Sequence, residues 1–233
     1  MVCEPRQARQ TRPQLVVILA DDSSSMAGEK AMAATEGIRE LIWECQTRGP
    51  EGSGRGYFKL LLIRFSVQAE IDPRCDMVSA RDIDPSNISI SGTGAQTNIT
   101  AALQLAMDRL VPYMKSLENH PERAVHPLPL VLLFSDGGHN VGDPPDVVAN
   151  EIKSLELDRQ KVVIASAGVA ISDDGSDIDE PTLKSLASQA GCYLRAQNAQ
   201  MLKDFIARVG SYGPSLEDVK KAVEQVKGAG RNV

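Results

Sequence analysis

The residues best suited to chemistry in this chain are small oxygen donors placed where apolar runs stop. The run at 15–20 (LVVILA) ends in Asp21-Asp22-Ser23-Ser24-Ser25, and the spacing Asp21-x-Ser23-x-Ser25 puts a carboxylate and two hydroxyls just past a buried segment. A later run, 128–135 (LPLVLLFS), ends the same way in Asp136 of FSDGG. Between them, GTGAQTNITAAL carries Thr97 at the entrance to a helical pattern, with Thr93 and Thr100 as rival hydroxyls nearby. All are hard donors, with no sulfur and no well-placed imidazole among them, a set that suits Mg²⁺ or Mn²⁺ rather than zinc or copper. The plain alternative is helix capping, because Asp and Ser satisfy the free N–H groups at a helix start.

Other constellations fit less well. Ser135, Asp136 and His139 crowd together, but FSDGGH lacks the G-x-S-x-G elbow that exposes a nucleophile on a sharp turn. His120 and His126 lie in a loop with no predictable serine neighbour. Lys30 follows Gly28 without completing G-x-x-x-x-G-K-[ST], so no phosphate-cradling loop is present. The run DDGSDIDE at 173–180 lacks the glutamate spacing and flanking helices of an EF-hand and reads as a solvated acidic turn with a helix cap.

The elements that must position the donors follow from periodicity. Four apolar runs, 15–20, 57–67, 128–135 and 161–169, read as strands, and three are near-continuous, as expected of strands buried on both faces of a parallel sheet. Helical spacing spans 29–47 and 98–117, although Pro112 predicts a kink or break in the second. Asp143-Pro144-Pro145 predicts a capped helix running to about Leu157, Pro181 opens another that Gly191 stops, and a fifth covers 198–209. Residues 70–96 hold an edge strand and a long loop, and 49–56 a surface loop. Strands alternating with helices predict an α/β fold, a doubly wound, mostly parallel sheet with helices on both faces. In such a sheet ligands bind beyond the carboxyl ends of the strands, where the strand order reverses, and that is the end at which Asp21 and Asp136 sit.

The chain has 233 residues, 42% of them apolar, enough for one domain with a substantial core. The expected organisation is a flexible leader at 1–13, a domain at 14–212 and a C-terminal amphipathic helix and tail at 213–233, packed on its own domain. A net charge of −6 argues against nucleic-acid binding. The four cysteines are scattered without CxxC spacing, and no stretch of about 18 apolar residues suggests a membrane span. A cytoplasmic protein, monomeric or weakly oligomeric, is expected.

Taken in order, DxSxSM after an apolar strand, a threonine before a helix in TNITAAL and an apolar strand ending in SDG resemble the von Willebrand factor A domain and its metal-ion-dependent adhesion site. The resemblance covers roughly residues 14–210, including the late segments DEPTLKSLASQAG and CYLRAQNAQMLKDF. It implies a Rossmann-like fold with Asp21, Ser23, Ser25, Thr97 and Asp136 as the metal-binding set, of which Thr97 alone of the three threonines aligns with the helix-entry pattern. It also implies a divalent ion with one position left for an aspartate or glutamate of a protein partner, and no catalysis. The chain is similar to stand-alone bacterial members associated with tellurite resistance or stress signalling; a magnesium-dependent phosphoesterase or phosphoryl-transfer enzyme is the alternative. Two departures stand out. Ser24 takes the place of a frequent glycine, and Asp22 adds a charge that is expected to point into solvent.

Overall fold

The computed structural model describes residues 13–47, 58–120, 126–136, 138–171 and 178–230. The leader, the loop at 49–56, Gly137 and most of the acidic run lie outside the described residues.

Strand β1 (Gln14–Asp21) is buried along its whole length. It pairs in parallel with β2 (Phe58–Phe65) on one side and β4 (Leu130–Ser135) on the other, and burial of every one of its residues means that both of its faces are covered as well, which is why its sequence is apolar without alternation. Strand β3 (Ala69–Ser79) turns back from β2 as an antiparallel edge, with register shifts near Leu61 and a left-handed Met77 (φ 57°). Beyond β4 come β7 (Val163–Val169) and β8 (Tyr193–Ala196), both parallel. The six-stranded order is β3-β2-β1-β4-β7-β8. The mostly parallel α/β sheet expected from the sequence is therefore present. A separate two-stranded hairpin joins β5 (Glu156–Leu157) to β6 (Gln160–Lys161).

The helices sort into two layers. Helix α1 (Glu29–Thr47) packs on α5 (Ala199–Asp204) and on the π-helical turn Phe205–Val209, against which α6 (Leu216–Gly230) also lies. On the other side α2 (Ile99–Glu118) packs on α3 (Pro145–Ser154), and α3 on α4 (Glu180–Leu186). Val219, Ala222, Val223 and Val226 of α6 are buried in the same core as the strands. None of the helices among the described residues is long and apolar enough to cross a membrane.

Several local expectations are corrected. Pro112 lies inside α2 without ending it. It sits on the exposed side, where the carbonyl it cannot pair faces water, while buried Leu110, Met114 and Leu117 hold the helix to the sheet. The cap of α3 is Pro144 rather than Asp143, and the helix stops at Ser154, where Leu155 turns extended and leads into the β5–β6 hairpin, closed by left-handed 158 and 159 (φ 49° and 68°). Helix α4 ends at Leu186, short of Gly191, and a 3₁₀ turn leads straight into β8. Strand β8 itself was not foreseen: four residues are too few to establish a period.

Candidate metal centre

The strand order reverses at β1, which has the chain's next strand on one side and β4 on the other. Register pairs Ala20 with Phe134, so the chain leaves both strands side by side, with Asp21 next to Ser135. Ser135 donates from its hydroxyl to Asp21 Oδ2 at 2.5 Å, and the Ser23 N–H donates to Asp21 Oδ1 at 2.9 Å. Asp21 is fully buried. Burial pushes its carboxyl up to about 6; the Ser135 and Ser23 hydrogen bonds pull it back, and the charge of Asp136 adds to the rise. Sequence reasoning weighed Ser135 only as a nucleophile and missed its part in orienting this carboxylate.

The hydroxyls of Ser23 and Ser25 lie 3.0 Å apart. Capping does not explain them. Ser23 precedes the 3₁₀ turn Ser24–Met26 but makes no side-chain capping bond, and α1 begins only at Glu29. The hydroxyls are thus left free of backbone N–H groups, the arrangement a cation site needs and a helix cap does not.

The loop that delivers Thr97 is tied to this turn. Ser24 donates from its N–H to the Gly94 carbonyl at 2.6 Å, and Gly94 donates to the Asp22 carbonyl at 2.9 Å. Asp22 does not point into solvent as expected: its Oδ1 accepts from Ser91 N–H (2.7 Å), the Ser91 hydroxyl (2.9 Å) and Gly92 N–H (2.6 Å). Gly92 is left-handed (φ +62°), and a Cβ there would come within 2.6 Å of the Ala27 backbone, so the close approach requires glycine. Further along, Asn98 N–H donates to the Ser66 carbonyl at 2.7 Å. Thr97 and Asn140 form a reciprocal pair: Thr97 N–H to Asn140 Oδ1 at 3.0 Å, and Asn140 N–H to the Thr97 carbonyl at 3.1 Å.

The rival threonines are engaged elsewhere. Thr93 shares a hydrogen bond with Ser91, and the Thr100 hydroxyl donates to the Asp143 carbonyl. Thr97 is buried beneath an open cavity of about 440 Å³ that Ser25, Lys30, Asp136, Asn140 and Ile171 also line. Asp136 is nearly buried, and Lys30 Nζ lies 3.3 Å from its Oδ2. All five expected donors therefore converge on one end of the sheet. Among the described residues no group of three or more His, Cys, Asp or Glu side chains is placed to hold a metal ion. The two carboxylates and three hydroxyls of the expected set fit a small hard divalent ion by type, and the buried Asp21 and Asp136 give it charge to neutralise.

A hydrolytic triad does not form. His139 Nδ1 accepts from Ile99 N–H at 3.3 Å, and its Nε2 faces the Asp143 carbonyl at 3.0 Å. Both ring nitrogens serve the backbone, and the imidazole is a strut between α2 and the loop before α3.

The von Willebrand factor type A domain model matches residues 16–208. Human inter-alpha-trypsin inhibitor heavy chain H4 is 26% identical over 228 residues, which are 93% of this chain and 22% of that protein. Proximal thread matrix protein 1 from the mussel byssus, solved with a zinc-occupied MIDAS motif, superposes with a TM-score of 0.58 at 17% identity, over 84% of this chain and 46% of that one. Manganese-loaded TRAP protein of Plasmodium vivax gives a TM-score of 0.51 at 16% identity, over 80% and 69%. The chain spans about a fifth of the curated relative and under half of the mussel protein.

Proposed function

We propose, for a chain that belongs to the von Willebrand factor type A domain family, that it is a non-enzymatic interaction domain whose divalent ion receives an aspartate or glutamate from a protein partner. Asp21, Ser23, Ser25, Thr97 and Asp136 form the binding set, with Mg²⁺ or Mn²⁺ as the ion. The observation that carries the reading is the convergence of these side chains at the reversal of strand order, with the Ser23 and Ser25 hydroxyls not used as helix caps. The names of the two metal-bearing neighbours support a divalent ion in this fold.

The bound ion supplies an electrophilic centre for a carboxylate. The chain's own part is to hold the oxygens ready. Ser135 and the Ser23 N–H fix the orientation of Asp21, so that its negative charge is aimed rather than free to rotate. The neutral hydroxyls of Ser23, Ser25 and Thr97 donate weakly and leave the ion's charge largely uncompensated. The cavity beside Asp136 is wide enough for a side chain and open to solvent. Without a divalent ion, Asp21 and the Lys30-paired Asp136 offer an incoming acid no electrophile.

Calorimetric titration of Mg²⁺ and Mn²⁺ into wild type and Asp21→Ala tests the ion site. Binding by wild type alone is expected, and equal responses from the two proteins would overturn it. Affinity capture with and without EDTA tests the partner class, whose members should be released by chelation. A screen with generic phosphoesters should give no turnover; turnover abolished by Asp136→Ala would replace this reading with a phosphoryl-transfer enzyme.

A further inference from the structure

One cation already stands at the site. Lys30 Nζ donates to Asp136 Oδ2 at 3.3 Å, and the two side chains are 11% and 4% exposed. Helix stability does not explain the residue. Lys30 is the second residue of α1, where the helix presents the positive end of its dipole and a lysine is disfavoured. The residue before it in the first turn, Glu29, is the type that end prefers. Nor does Lys30 behave as a surface lysine, since its stem is nearly covered while its ammonium turns inward to a carboxylate just past the end of β4.

We propose that Lys30 is a resident counter-ion of Asp136, which a divalent cation must displace in order to load. The inference rests on the metal reading above. The physical case is one of exclusion. Asp136 and Asp21 stand just past Phe134 and Ala20, which pair across two neighbouring parallel strands, so their carboxyl groups share one end of the sheet. An ammonium within hydrogen-bond reach of Asp136 and a doubly charged ion on the same carboxylate repel each other strongly at such separations. Loading therefore requires the ammonium to leave, and the lysine stem is long and flexible enough to swing into the adjoining cavity, whose wall it already forms. The metal-free protein consequently avoids a bare pair of buried carboxylates. The same device sets a threshold: the ion must outbid an internal cation, so weakly binding or scarce cations leave the socket closed by its own lysine.

The experiment is a calorimetric titration of Mg²⁺, and separately Mn²⁺, into wild type, Lys30→Met, Lys30→Gln and Asp136→Asn at fixed ionic strength. Methionine keeps the apolar stem, and glutamine provides a second neutral variant should packing around methionine differ. Both neutral variants are expected to bind about three- to tenfold tighter than wild type, the usual size of coupling between groups that share a partner. Asp136→Asn is expected not to bind measurably. Wild type binding as tightly as, or more tightly than, both Lys30 variants would overturn the counter-ion proposal while leaving the metal site standing. Absence of binding by wild type and by both Lys30 variants alike would overturn the metal reading and the proposal with it.

Discussion

Two fully buried carboxylates in this protein have opposite fates. Asp72, on the edge strand β3, is met by Arg74 through Nε at 2.8 Å and a second guanidinium nitrogen at 2.5 Å, with Arg64 at 3.7 Å. Burial pushes its carboxyl up, yet the Arg74 hydrogen bonds and the two positive charges bring it below the usual range. Asp21, at the end of β1, is met by a serine hydroxyl and a backbone N–H, and burial carries it up to about 6. The chain thus supplies arginines to a carboxylate with a structural task and only neutral donors to the one at the ligand end of the sheet. A buried acid left with neutral partners is where a cation from solution is worth most.

The sharpest way to break this comparison is to delete each acid and read metal binding. Asp21→Ala and Asp136→Ala should each weaken Mg²⁺ affinity about a hundredfold or more in calorimetry, since each removes a charge from the set. Asp72→Ala should leave that affinity unchanged. Its effect belongs to stability: losing the partner of Arg74, which is itself half-exposed and can turn to water, should cost about 2 kcal/mol in urea unfolding.

The pH response sharpens the contrast further, read by thermal unfolding in EDTA. The Asp21 carboxyl titrates near 3.8 when unfolded and near 6 when folded, so the native state binds the proton more tightly. Its contribution to stability therefore declines as pH rises from about 4 to about 6, and Asp21→Asn should abolish that component. Asp72 runs the other way. Its depressed value gives stability that is present above the ordinary carboxylate range and lost as pH falls through the folded value. The smallest expected effect is at Asp22: Asp22→Ala should lose about 1 kcal/mol and lower Mg²⁺ affinity severalfold by freeing the 91–94 loop. Asp22→Asn keeps an acceptor oxygen and should come close to wild type.

Much of the sheet could be read from the chain because its central strands are covered on both faces and so carry unbroken apolar runs, LVVILA and LPLVLLFS above all. The five side chains proposed as donors could be picked out because each stands where such a run or a helix pattern changes. What could not be read depends on contacts between distant segments. The charge of Asp22 looks solvated until the 91–94 loop folds over it, and Ser135 looks like a nucleophile until register sets it beside Asp21. In the sequence Lys30 suggests no more than an incomplete phosphate loop, because nothing local marks a lysine whose partner is 106 positions away. Strand β8 and the 156–161 hairpin were hidden by brevity, and the persistence of α2 through Pro112 by packing that overrides propensity.

The segment bearing Thr97 is fastened on three sides: to Asp22 and Ser24 through Gly94, to Ser66 through Asn98, and to Asn140 directly. With the seat of the proposed ion clamped in this way, little chain ordering beyond the swing of Lys30 is left to accompany occupancy. The slow event should then be the stripping of water from the arriving ion. Mg²⁺, which dehydrates reluctantly, should settle more slowly than Mn²⁺ in a stopped-flow mixing trace, with the protein's amide spectrum almost unmoved between the two.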